Sequence, residues 1–163
     1  MANLILGTTG TPVAWTDSTG DLAMTLNNLA AGAGRQGAIK SFGTADKANR
    51  YMWRAFVQFA TAPVVGESVE IYLKTSDGTH PDNDDGTGDI AVSAEDKLKN
   101  LMYIGSIIVD EAATGVKMVA QGFIDNLDVD NVMPIFFNQT ADNLVATDNL
   151  NGFIITPMPF EIQ

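Results

Sequence analysis

The densest group of chemically able side chains lies between Asp77 and Asp96, where seven carboxylates occur without one Lys or Arg among them. Within it Asp82, Asp84, Asp85 and Asp89 are close enough in sequence to be read as ligands of a hard cation. Crowded carboxylates repel one another unless an ion such as calcium neutralises them. The EF-hand pattern fails at both ends. With Gly86 at its glycine, Asn83 and Asp85 fall on ligand positions, but Pro81 takes the first position and Val92 the last, where an acid is needed. A calcium site of another kind and a solvated acidic loop remain as the two readings, the solvated loop being the simpler. His80 is the single histidine. A triad, a zinc site or a proton shuttle would need partners at identifiable places, so His80-Pro81 reads as a turn element.

Other patterns carry less chemistry. Acids are plentiful enough for a glycosidase pair, yet Asp residues in turns are ordinary and their number alone defines no site. Gly32-Ala-Gly34-Arg-Gln-Gly37 has the glycine spacing of a dinucleotide fingerprint, but a short β-like segment follows it where a long helix is required. No catalytic residue and no cofactor can be named, which favours a binding or assembly part over an enzyme. Trp53 shares an apolar face with Val57 and Phe59 and reads as core. Trp15, in a polar segment, reads as an exposed aromatic able to stack on a sugar. Asn138-Gln-Thr140 is a formal glycosylation sequon without a leader to give it meaning.

Charge is unevenly placed. Arg35, Lys40, Lys47, Arg50 and Arg54 are five of the nine basic residues, against Asp46 alone in that stretch, and six acids follow Lys117 without a base. One reading is scattered surface charge. The other is a basic edge that docks on an acidic surface, such as a neighbouring copy's acidic loop. The region 35–54, with Arg35, Lys40 and Arg50, and the N-terminal segment 1–20, with Leu4, Ile5 and Leu6, are then the expected partner contacts.

The elements that must position these groups are strands. Tyr51, Trp53, Ala55, Val57 and Phe59 fall on one face of a segment 51–60, with Met52, Arg54, Phe56 and Gln58 on the other. Ser68–Thr75 alternates in the same way, and the pair reads as a hairpin around 62–66. Further strands are expected at 21–29, 38–42, 101–109 (apolar on both faces, hence central), 116–124, 131–137 and 152–157, with a loop at 30–37. Ser93 starts a short helix near 93–100. About eight strands at this spacing predict an all-β, jelly-roll-type antiparallel sandwich. Residues 1–20 form an N-terminal arm or first strand, and 21–163 a single domain.

At 163 residues with a formal net charge of −11, the chain is long enough for a core and repelled by phosphate backbones and anionic membranes. It has no cysteine, which rules out disulfides and thiol chemistry. The start, Met-Ala-Asn-Leu-Ile-Leu-Gly, reads as neither a secretory signal nor a membrane span, so a cytosolic origin is expected.

The run WRAFVQFATAPVVGESVEIYLKTSDGTHPDNDDGTGD, within 51–90, resembles a family of small proteins encoded among the virion structural genes of tailed bacteriophages. The ending GFIITPMPFEIQ is similar to that family's ending, and the two stretches cover roughly a third of the chain. The resemblance implies a jelly-roll part of the virion, above all a capsid decoration (cement) protein made in the host cytoplasm and bound to the major capsid protein outside the head. A homo-oligomer is expected, with a trimer favoured. An acidic chain suits an exterior position better than one facing packaged DNA. The alternative is a virion-displayed carbohydrate-binding module for host attachment, dependent on calcium if the acidic loop holds it and on Trp15 for stacking.

Overall fold

The computed structural model describes residues 5–7, 9–43, 47–127 and 129–162. Their period-two segments form two sheets. Sheet I contains, in spatial order, β10 (Met118–Asp125), β6 (Arg50–Val57), β12 (Gly152–Pro157), β2 (Val13–Thr16) and β3 (Leu22–Ala23). Sheet II contains β8 (Ile90–Val92), β4 (Gly34–Gln36), β11 (Asn131–Asn138), β7 (Ser68–Ser76) and β9 (Met102–Ile108), with β5 (Lys40–Ser41) also paired to β11. A separate ribbon joins β1 (Ile5–Gly7) to β13 (Phe160–Ile162). All pairings are antiparallel except β2 with β3. The eight principal strands run β2-β12-β6-β10 in one sheet and β4-β11-β7-β9 in the other. That interleaving is the winding of a jelly roll, the fold class the sequence predicts. The short helix expected near 93–100 is a 3-10 turn at Glu95–Leu98, and Ala94, which caps nothing, stands where Ser93 was expected.

The segments 51–60 and 68–75 do not form a hairpin. β6 bonds to β10 and β12, whereas β7 bonds to β11 and β9. β6 ends at Val57 and β7 begins at Ser68, so ten residues (58–67) carry the chain across the sandwich. Tight hairpins use about two to five residues. Both strands own one apolar face, and that pattern is the same whether the faces lie side by side or look at each other. They look at each other: Tyr51, Trp53, Ala55 and Val57 meet Val69, Ile71 and Leu73, all buried.

Other expectations also change. Leu101–Val109 gives an edge strand, β9, on which Tyr103 and Ile108 face outward and, with Met102, are exposed. The glycine-rich 30–37 contains a strand, because only a residue without a side chain lets β4 lie this close to β11. A Cβ on Gly34 would stand 2.8 Å from the Phe137 ring. Segment 21–29 keeps only the two residues of β3. Val13–Thr16 lies inside sheet I, so the sandwich takes in part of the segment read as arm or first strand. Trp15 is fully buried, with its indole N–H donated to the Ala38 carbonyl at 2.6 Å.

The main core fills the space between the sheets. Phe153 is its hub, with ring centres 5.8 Å from Trp15, 6.3 Å from Trp53 and 6.4 Å from Phe136. A second apolar cluster lies apart from it. There Ile135 and Phe137 of β11 pack with Val92, Leu98, Leu101 and the partly buried Tyr72. Residues 77–101 therefore cap the outer side of sheet II, which is why every residue of β11 is buried.

Candidate partner-binding surface

The carboxylates read as cation ligands turn away from one another. Asp82 Oδ2 accepts from the Thr75 backbone N–H at 2.6 Å and from its hydroxyl at 2.8 Å. Asp85 pairs with Lys97. Asp89 receives Arg35 Nε at 2.5 Å and the Thr25 hydroxyl at 2.5 Å. Asp84 is exposed and belongs to none of these pairs. Among the described residues no three His, Asp or Glu side chains are grouped to hold a metal. His80 is exposed, with Nδ1 2.9 Å from Asp77 Oδ2, and its hydrogen bonds hold the Asp77 carboxyl well below its usual range.

What gathers the acidic segment is a buried cation. Lys74 lies on β7 with no exposed surface. Its ammonium donates to the Asp85 carbonyl and, at 3.1 Å, to the Gly86 carbonyl. Gln36 Nε2 adds bonds to the Gly86 and Gly88 carbonyls at 2.9 and 3.0 Å. Burial pushes the Lys74 ammonium down from its ordinary value, against the pull of Asp85, Asp82 and Asp84. Sequence reasoning missed this latch, since alternation placed Lys74 on an outward face. The available signal was one lysine directly preceding seven acids, with no further base until Lys97.

The residues expected to meet a partner are scattered. Leu4 lies outside the described residues. Ile5 and Leu6 sit in β1, opposite Ile162 and Glu161. Arg35, in sheet II, is turned to Asp89 of its own chain. Lys40, also in sheet II, borders a cleft of about 270 Å³ with Lys47, Phe42, Val13 and Pro157. Arg50 belongs to sheet I, pairs with Asp125 at 2.5 Å and stands 5.3 Å from the centre of the Phe123 ring. The basic stretch is thus divided between two sheets and forms no single edge.

Sheet I carries the surface the sequence did not announce. On its outer side Met52 lies opposite Phe123, Arg54 opposite Gln121, and Phe56 opposite Val119. Met52, Val119 and Phe123 are 37%, 42% and 58% exposed. Lys117 stands 4.6 Å over the Phe56 ring. Phe56 itself is covered, and Arg54 and Lys117 are exposed. The water-facing side of an antiparallel sheet is normally polar, and apolar side chains grouped within a polar rim mark interaction sites. The chain's own acidic cap thus covers the outer side of sheet II over β11 but leaves Tyr103 and Ile108 of β9 exposed, while the outer side of sheet I exposes an apolar group edged with cations.

These features define a class: a jelly-roll sandwich with a cap over one sheet and an exposed apolar group on the other. No known protein-family model matches the chain, and no curated protein is significantly similar to it. Among the described residues no helix is long and apolar enough to cross a membrane.

Proposed function

We propose that this chain is a virion structural protein of a tailed bacteriophage, a decoration protein that seats the outer side of sheet I on the exterior of the capsid and turns its acidic cap to solvent. The observation that carries this reading is the group of Met52, Val119 and Phe123 exposed on the outer side of sheet I, with Arg54 and Lys117 beside it. Three supports stand beside it: the resemblance at 51–90 and at the carboxy-terminal end, the jelly-roll winding, and an acidity suited to the outside of a DNA-filled shell. Its work is adhesion. Binding only the assembled shell stabilises that state by mass action, and many copies on one particle would reinforce it. The glycan-binding alternative keeps the sandwich fold but loses its other supports, because Trp15 is buried and the described loop carboxylates form no group able to hold a metal.

The test is addition of the purified chain to heads assembled without it. Wild-type protein is expected to co-sediment with the heads and to raise the temperature at which they open. F123D should weaken binding at least about tenfold, the scale of losing one well-buried aromatic contact. Heads that do not retain the wild-type chain, or that retain F123D equally well, would overturn the proposal.

A further inference from the structure

We infer that the protein surface met by sheet I is itself acidic, with carboxylates placed to pair with Arg54 and Lys117 around an apolar centre. This rests on the reading of sheet I as the docking face and adds the chemistry of the partner. Arg35 pairs with Asp89, Lys47 with Asp130, Arg50 with Asp125, Lys97 with Asp85 and Lys99 with Asp96. Lys74 spends its donors on cap carbonyls, and Lys40 is engaged as well. Arg54 and Lys117 are left, and no acidic side chain among the described residues pairs with either. In a chain with twenty acids and nine bases, both fall on the one face that also exposes Met52, Val119 and Phe123.

Their positions agree. Arg54 and Phe56 project from the same side of β6, and Lys117 lies over Phe56 just before β10 begins. An apolar centre with cations at its rim fits a partner patch of the opposite sign, since rim charges set orientation and exclude like-charged surfaces. The net charge of −11 does not defeat this. The acidic cap lies beyond both sheets, whose faces pack about 10 Å apart, while the Debye length at physiological salt is about 8 Å. Charges at the contact thus act almost unscreened, and those of the cap act weakly.

The test is head binding by R54E/K117E, beside the charge-preserving R54K/K117R and the apolar-face variant F123D, with circular dichroism to confirm that each is folded. Wild type and R54K/K117R should bind within about threefold of each other, and R54E/K117E at least tenfold more weakly. If R54E/K117E binds as wild type does while F123D fails, the docking face stands and the acidic partner is wrong. Tighter binding by R54E/K117E would indicate a basic partner and overturn the inference. If the reversal abolishes self-association of the chain but leaves head binding intact, the occupant is a second copy, and the inference again fails. Heads that ignore even the wild type would remove both readings together.

Discussion

Lys74 is the residue on which the behaviour of the acidic segment turns. Its strand neighbours Leu73 and Thr75 would hold their places with or without it, but the Asp85 carbonyl would lose its donor and the Gly86 carbonyl would keep only Gln36. A buried polar group left without a partner costs about 1–3 kcal/mol. Lys74→Met, which keeps the apolar stem and removes the ammonium, should therefore loosen residues 82–88 more than the sheets. Hydrogen exchange is the measurement: faster exchange in that segment with β6 and β11 unchanged is expected, and uniform loss of protection would refute the latch. Trp53 sets a second residue-scale test. A Cβ on Gly122 would come within 2.9 Å of its indole nitrogen, and Trp53 is held at the core by Phe153. Gly122→Val should destabilise the fold by about 1–3 kcal/mol, as overpacking does, read from chemical denaturation.

At the scale of elements, legibility followed from how many sides of a strand are covered. β6, β10, β11 and β12 were readable because each carries an uninterrupted apolar rhythm, and β12 matches its expected bounds, 152–157. The partner of a strand was not readable. Alternation reports which side chains point inward but not which sheet lies opposite, so β6 and β7 were paired across a link that in fact crosses the sandwich. The same blindness made β9 look central: its second apolar face is exposed at the sheet edge. The exposed apolar group of sheet I was legible only on β6, where Met52, Arg54 and Phe56 share the face opposite Trp53, because Val119 and Phe123 acquire meaning through their register with that strand. The cap was illegible for a further reason. Its anchors Val92, Leu98 and Leu101 are separated by polar residues and show no period. The crossing link makes its own prediction. Val64 and Val65 at its tip are 56% and 58% exposed, so inserting four Gly/Ser residues between them should cost no more than about 1 kcal/mol, measured by thermal unfolding.

For the molecule as a whole, the cap and the sandwich should part company in acid. The sandwich is held by its large apolar core, whereas the cap has only a small apolar cluster and the Lys74 latch, and Asp89 is a titrating group that ties it to sheet II. Burial pushes the Asp89 carboxyl up, but the hydrogen bonds from Arg35 and Thr25 outweigh it and leave the group below its ordinary value. A carboxyl depressed on folding contributes stability that is complete above its unfolded value, about 3.9, and is lost as pH falls through the folded one. On the other side of the molecule Arg50 lowers Asp125 in the same direction, although that pair is open to solvent and stabilises little. Lowering the pH from 5 towards 2 should thus release residues 77–101 first, seen as hydrogen exchange rising there and at Thr25 while β6, β11 and β12 stay protected. Asp89→Asn should flatten part of that dependence, since the amide neither titrates nor pairs with a guanidinium as a carboxylate does. The measurement must be made at low protein concentration, because the sequence pI is near 4.2 and copies without net charge associate. The cap and the exposed apolar group of sheet I lie on opposite sheets, so release of the cap should leave sheet I in place. Simultaneous loss of cap protection and of all three strands would show that the molecule is one cooperative unit, and that the cap cannot move on its own.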